Sequence, residues 1–403
     1  MVDEAIASQW GDKQTMKIGI LTVHDQINYG AILQAFALQS VLSDLGHEVL
    51  VFDRKMDPVH GSLLGPIENG NIECWVKLIA RGFLGLGDFA DMMRRIRTWR
   101  FIRQHLHLTK YRFLSWAEAP DNLGVDLIVI GSDQVWNTKH HDPHVFLLDS
   151  SHNVPAISYA ASFGTDSIDE EWFSLFARQL PKLQKISVRE KQARVILSKL
   201  SLSAQRVVDP TLLPEKTLWG QFVKRRATKR RLLVCYFATQ PSLVVIRDLL
   251  SFSKRNDCNV EIFVGAIPIP LPDSTTAWRN HIIKLLLFLN PRIHFMFGAL
   301  PNVFVNSVAN ADWIVTSAFH GLMFSCIFRK QIRLVRSFYK DNRPGFKRME
   351  EFVSDYMSGN VIVNDVRDAL RSLEKETVTY EDAKLDFDCR KSLQWLRSAL
   401  SFS

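Results

Sequence analysis

The stretch Ala311–Phe328, ADWIVTSAFHGLMFSCIF, decides how the rest of this 403-residue chain is read. Its apolar start, Trp313–Thr316, predicts a strand. Its apolar end predicts a buried helix, with His320-Gly321 on the turn between them. In open α/β sheets, ligands sit beyond the carboxyl ends of the strands, where the next helix points free N–H groups and the positive end of its dipole at an anion. His320 occupies that place. For a lone histidine the simpler reading is a helix-cap or core residue satisfied by a backbone carbonyl, so its role depends on what else reaches the same edge.

Working outward, Arg231–Ala238, Val260–Val264, Arg292–Phe297 and Ile332–Val335 predict further strands, with helices over Pro241–Lys254 and Pro301–Ala309. The proline-rich loop Ile267–Asp273 and the basic, aromatic loop Arg336–Lys347 join them. The same βα grammar opens the chain. Met16–Val23 is a continuous apolar run of the kind buried on both faces of a parallel sheet. The turn His24–Gly30 leads into a helix over Ala31–Leu45, Gly46 caps it, and Glu48–Asp53 is the next strand. Asn28 and Gly30 are placed to offer backbone N–H groups to a phosphate or carboxylate. The turn lacks GxGxxG and GxxxxGK[ST], so classical dinucleotide and P-loop binding are not supported. Residues from about Asp57 to Trp116 break the pattern and read as two or three inserted helices.

Asp126–Ile130 returns to a buried strand and empties into Gly131-Ser132-Asp133-Gln134-Val135-Trp136-Asn137. Buried polar groups at such a turn must be hydrogen-bonded, which favours function over packing. Trp136 is a candidate sugar-stacking platform and Asp133 a candidate base. Val154–Ala161 opens into Ser162-Phe163-Gly164, and Lys185–Val188 delivers Arg189-Glu190 to a helix over Lys191–Leu200. An arginine there can clamp a carboxylate or phosphate with a planar fork, or simply form a surface pair with its neighbour. Val207-Val208-Asp209-Pro210 closes this half.

Length predicts two domains, and the expected division is a loose leader at 1–15, an N-terminal domain at 16–228 with a helical insertion at about 57–120, and a C-terminal domain at 229–403. The apolar fraction of 47% and charged fraction of 23% are those of a soluble globular protein. Five separated cysteines without a CxxC pair suggest neither zinc nor disulfides, and they fit a reducing, cytoplasmic compartment. Met1–Thr15 lacks a signal peptide's basic start and apolar core. The Ile282–Leu289 run is far shorter than the ~20 residues that span a bilayer. The net charge of +8 reflects dispersed basic residues apart from two runs, Arg94–Arg103 and Lys224–Arg231. No nucleic-acid platform is apparent. Solvated helix faces are the simplest reading of the runs, and docking on an anionic bilayer or a lipid-linked diphosphate is the other.

Six motifs taken together, NYGAILQAFALQ (Asn28–Gln39), GSDQVWN (Gly131–Asn137), SYAASFG (Ser158–Gly164), SVRE (Ser187–Glu190), DPTLL (Asp209–Leu213) and FHG (Phe319–Gly321), resemble in identity and order those of the polysaccharide pyruvyl transferase family. The resemblance implies an α/β fold of two Rossmann-like domains facing a central cleft, as in B-type glycosyltransferases. It implies transfer of a pyruvyl group from phosphoenolpyruvate to two hydroxyls of one sugar, giving a cyclic ketal and phosphate. Phosphoenolpyruvate would be a co-substrate, with no cofactor and no metal. The acceptor would be a lipid-linked or nucleotide-linked sugar, handled in the cytoplasm or at the inner membrane surface. By position, His320, Arg189 and Asp133 would be catalytic. Asn28, Tyr29, Gly30, Ser317, Gly321, Arg343 and Arg348 would bind the donor, and Ser132, Gln134, Trp136, Asn137, Ser162 and Phe163 the acceptor. Ala318 departs from the family, which usually has serine before Phe-His-Gly. A nucleotide-sugar glycosyltransferase and a non-catalytic glycan-assembly protein are the alternatives.

Overall fold

A computed structural model describes residues 15–55, 86–150, 152–264, 290–296, 298–338 and 344–401. Most of the leader, the loop Ile267–Asp273, the Ile282–Leu289 run and Arg343 lie outside the described residues.

The first domain is built on strands β1 (Lys17–Leu21), β2 (Glu48–Arg54), β3 (Leu108–Phe113), β4 (Leu127–Ile130), β5 (Ala156–Ala161), β6 (Lys185–Val188) and β7 (Gln205–Arg206). They form one parallel sheet in the order β3-β2-β1-β4-β5-β6-β7. Every residue of the central strands β4 and β5 is buried, which is why these strands are apolar without alternation. Helix α1 (Tyr29–Asp44) follows β1, α2 (Leu86–His105) precedes β3, and α3 (Lys191–Lys199) follows β6.

The segment expected to be helical to about residue 120 instead contributes β3 to the sheet edge. An edge strand buries little of its surface, so LTKYRF keeps an exposed Lys110 and a half-buried Arg112. It therefore lacks the continuous apolar run that marks the interior strands.

The second domain has β8 (Arg231–Phe237), β9 (Cys258–Val264), β10 (Ile293–Phe295), β11 (Trp313–Thr316), β12 (Gln331–Val335) and β13 (Ile362–Val363). They too are parallel, in the order β10-β9-β8-β11-β12-β13. Its helices include α4 (Pro301–Asn310), α5 (Phe319–Ile327) and α6 (Pro344–Tyr356), and α7 (Asp382–Leu400) ends the chain. α7 packs back on the first domain: Ser392 Oγ accepts from the Val208 N–H at 3.0 Å and Lys185 Nζ donates to the Ser398 carbonyl at 2.6 Å. The C-terminal helix thus belongs to the second domain in chain order and touches both, since Tyr356 of the second domain donates its hydroxyl to Asp388 Oδ2 at 2.7 Å.

Two helices join the domains. α1 is buried at every residue except Ser40, Ser43 and Asp44, and α5 is buried throughout. A helix without a polar face needs cover on all sides. Each supplies part of it to the other, and one core cluster runs from Ile32, Leu33 and Phe36 through Phe304, Leu322 and Phe324. Tyr29 stacks on Phe304 at 5.3 Å and meets Tyr236 and Phe263 of the second domain at 5.7 and 5.8 Å. Aromatic contacts of this kind stabilise by about 0.5–1.5 kcal/mol each beyond area burial.

Candidate active site

The carboxyl ends of β4, β6 and β7 meet the amino end of α5. Arg189 directly follows β6, and its side chain is buried. Its Nη1 donates to Asp209 Oδ2 at 2.9 Å, and its Nη2 lies 3.5 Å from Asp133 Oδ1. Glu190 Oε2 stands 3.8 Å from Nε. His320 Nε2 lies 3.7 Å from the same Asp209 Oδ2, beyond hydrogen-bond reach. Asp209 is fixed by its own chain, since Oδ1 accepts from the Thr211 N–H and hydroxyl at 3.0 and 2.7 Å. The Asp-Pro pair puts the cap and a proline at the start of a short 3₁₀ turn.

Phe319 carries two cations. Arg189 sits 4.2 Å from its ring centroid and Arg348 of α6 sits 5.0 Å from it. The Gln134 amide lies between Arg348 and Asn137 Nδ2. With its oxygen turned to Arg348 it accepts from Nη2 and Nη1 at 3.0 and 3.1 Å. A cavity of about 180 Å³ opens beside this cluster, lined by Arg189, Asp209, Phe319, Arg348, Arg206 and Lys391 among others.

Charge is unevenly satisfied here. Arg189 Nε and Nη2 and His320 Nε2 are buried without a hydrogen bond, and such groups call for a ligand or another explanation. Burial pushes the His320 pKa below its ordinary value; Asp209 and Asp133 pull it partly back, while Arg189 and Arg348 push it further down. The ring is therefore neutral near pH 7. Burial would raise the Asp133 carboxyl, but Arg189, His320 and Arg348 outweigh it and hold the group below the usual carboxylate range. Burial also opposes the Arg189 cation, and Asp209, Asp133 and Glu190 together more than restore it.

Gly30 brings the domains into contact. A Cβ on it would fall 1.9 Å from His320 Nδ1, so the imidazole rests directly on the glycine backbone. Gly321 does the same for Thr316, whose Oγ1 would be 2.2 Å from an added Cβ. At the start of α5, Ala318 supplies no side-chain cap. No hydroxyl at position 318 caps the first-turn N–H groups of α5, which bears directly on the departure from Ser-Phe-His-Gly. Ser317 does not replace that hydroxyl, because its Oγ accepts from the Ala238 N–H at 3.0 Å.

The structure therefore brings His320, Arg189, Asp133, Gly30, Gly321, Arg348, Gln134 and Asn137 together. Other expected site residues have structural duties. The Asn28 carboxamide caps α1 by accepting from the N–H groups of Gly30 and Ala31 at 3.0 and 3.4 Å, so those donors do not await an anion. Tyr29 is inside the aromatic seam between the domains. Ser132 donates to Gln34 Oε1 at 2.7 Å and Ser162 to Glu190 Oε1 at 2.6 Å, both fully buried. Trp136 is 1% exposed and packs on Phe163, itself buried against Phe176, so neither ring offers a face to a sugar. Arg343 lies outside the described residues.

Three contributors went unassigned from sequence: Asp209, Glu190 and Phe319. Asp209 stands just past the end of β7, so the strand-end rule that selected Arg189 would have selected it one strand later. Phe319 reads as core, and only its two flanking guanidiniums reveal its part.

A model of the family described as polysaccharide pyruvyl transferase matches residues 28–336. No curated protein matches the chain. Among solved structures, the UDP-GlcNAc 2-epimerase from Methanocaldococcus jannaschii is similar over 95% of this chain and 99% of its own, at 10% identity and a TM-score of 0.48. The UDP-GlcNAc 2-epimerase from Neisseria meningitidis gives the same coverage at 9% identity and a TM-score of 0.48. The glycosyltransferase SnogD from Streptomyces nogalater covers 96% and 95% at 13% identity, with a TM-score of 0.38. These distant likenesses carry no argument about what the site binds.

Proposed function

The chain belongs to the polysaccharide pyruvyl transferase family, and on that premise we propose that it moves the pyruvyl group of phosphoenolpyruvate onto two hydroxyls of one sugar in a surface-polysaccharide precursor. The observation that supports this reading best is the Nε–Nη2 edge of Arg189, which makes no hydrogen bond although Asp133 and Glu190 stand 3.5 and 3.8 Å from it. That edge has the planar two-donor geometry that matches a carboxylate or phosphate, and Arg348 packs on the same Phe319 ring.

In the reaction, C2 of the donor gains two bonds to sugar oxygens, the C2–O bond to phosphate breaks, and C3 gains a proton. One hydroxyl proton ends on C3 and the other leaves with phosphate. Arg189 and Arg348 hold the donor's carboxylate and phosphate, and the amino end of α5 receives phosphate. His320, neutral in the free site, takes the proton of the attacking hydroxyl. Asp133 and Asp209 stabilise the imidazolium, and the proton passes from it to C3. Asp133, held below the usual carboxylate range, is a poor base, which moves that role to His320. Gln134 and Asn137 orient the acceptor.

Mass spectrometry of lipid-linked and nucleotide-linked sugars incubated with phosphoenolpyruvate tests the reading. A pyruvyl ketal product is expected, with phosphate released, and His320→Gln is expected to abolish both while the protein stays folded. Turnover of a nucleotide sugar without phosphoenolpyruvate would overturn it.

A further inference from the structure

Two basic runs far apart in sequence are neighbours in the fold. Neither Met92–Ala117 nor Lys216–Arg247 contains an aspartate or glutamate. On α2, Arg97, Arg100 and Arg103 recur every third residue and are all exposed, which puts them on one face. Phe101 and Ile102 point the other way, into the core. The segment after the helix Lys216–Gly220 is pinned to α2 by Phe222, whose ring centroid lies 6.2 Å from that of Phe101 and 5.6 Å from that of His105. Lys224 and Arg225 follow within three residues, a span of at most about 10 Å, and both are exposed.

Pairing separates these cations from their neighbours. Arg226 meets Asp312 at 3.5 Å and Arg230 meets Asp257 at 3.4 Å. Among the described residues, Arg97, Arg100, Arg103, Lys224 and Arg225 have no salt-bridge partner. The three unpaired arginines of the α2 stripe repel one another, and an anionic surface relieves that repulsion; Lys224 and Arg225, on the segment that Phe222 ties to α2 and the Lys224 N–H ties to Asn306 Oδ1, are a second unpaired basic site.

We propose that this face docks the protein on an anionic lipid bilayer. Trp99 sits half-buried in the patch with the Arg103 guanidinium 5.2 Å from its ring centroid, the amphipathic pairing that suits the headgroup layer. Because Arg103 covers that ring, it offers no open platform to a nucleobase, which sets a single-stranded nucleic acid below a membrane as the partner. The exposed Lys110 on the edge strand β3 extends the charge. The inference stands apart from the pyruvyl-transfer reading, and it would bring a cleft of this kind to acceptors carried on lipid.

Sedimentation of the full chain with phosphatidylglycerol-containing vesicles, and with pure phosphatidylcholine vesicles, tests it. Binding is expected to the anionic vesicles alone and to disappear at high salt. Each basic residue near such a surface contributes roughly a fivefold factor, so the triple variant R97Q/R100Q/R103Q should partition about 100-fold more weakly. The double variant K224Q/R225Q, on a different segment, should lose about 25-fold by the same rule. Circular dichroism should be unchanged in both. Equal binding to neutral vesicles, no binding to either, or variants that partition like the parent would overturn the proposal. Displacement from anionic vesicles by a nucleic acid bound through the same arginines would overturn it in favour of that partner.

Discussion

Replacing Gly30 by alanine adds one methyl group at the point where the two domains touch. Gly30 lies in α1 with no positive φ, so alanine imposes no backbone strain, and in a helix it is favoured over glycine by about 1 kcal/mol. The cost is steric. The methyl would land 1.9 Å from His320 Nδ1 and 2.3 Å from Cγ, and real Cβ contacts essentially never fall below 3.0 Å. The ring must therefore retreat by at least 3.0 − 1.9 = 1.1 Å, which takes it out of register with Asp209 and Arg189. Overpacking of this kind costs about 1–3 kcal/mol, so after the helix gain the net destabilisation is about 0–2 kcal/mol. A displacement of about 1 Å in a catalytic group lowers the rate about 100-fold. The assay is steady-state phosphate release from phosphoenolpyruvate, with thermal unfolding measured in parallel. Gly220→Ala is the control, because a Cβ there meets nothing within 4 Å. A Gly30→Ala enzyme with kcat within about twofold of the parent, where about 100-fold loss is expected, would refute the argument that this contact positions His320.

Two further outcomes follow from the site and its surroundings. Trp136→Phe should destabilise the first domain by about 1–2 kcal/mol through the cavity it leaves and leave the KM for acceptor unchanged; a raised KM at unchanged stability would return Trp136 to the sugar site. His320 has a folded pKa below its unfolded value of 6.5, through burial first and the two arginines beyond it. Its neutral form therefore costs nothing above pH 6.5, whereas below it the unfolded chain binds a proton that the folded chain resists. As the pH falls through 6.5 the parent should therefore lose more stability than His320→Gln. Parallel pH profiles in denaturant titrations would contradict the assignment.

The βα order, the parallel sheets and the strand ends that carry His320, Arg189 and Asp133 were legible because interior parallel strands are apolar on both faces and stop abruptly at polar turns. β3 was not legible, since an edge strand with one covered side has no such signature. Polar residues at a strand end are also ambiguous in sequence: Ser132, Ser162 and Asn28 stand where ligand groups would, yet their hydrogen bonds close on Gln34, Glu190 and the first turn of α1.

By itself the sequence determined the two-domain α/β plan and the family, because periodicity and short motifs are local properties of the chain. Tertiary structure alone decided which polar groups keep unused donors, that Asp209 stands beside both Arg189 and His320, that Phe319 bears two guanidiniums, and that the segment before the second basic run packs on α2. Each depends on distances between residues more than 100 positions apart or on what a neighbour has already satisfied, and burial and hydrogen bonding acquire a value only once the chain is packed.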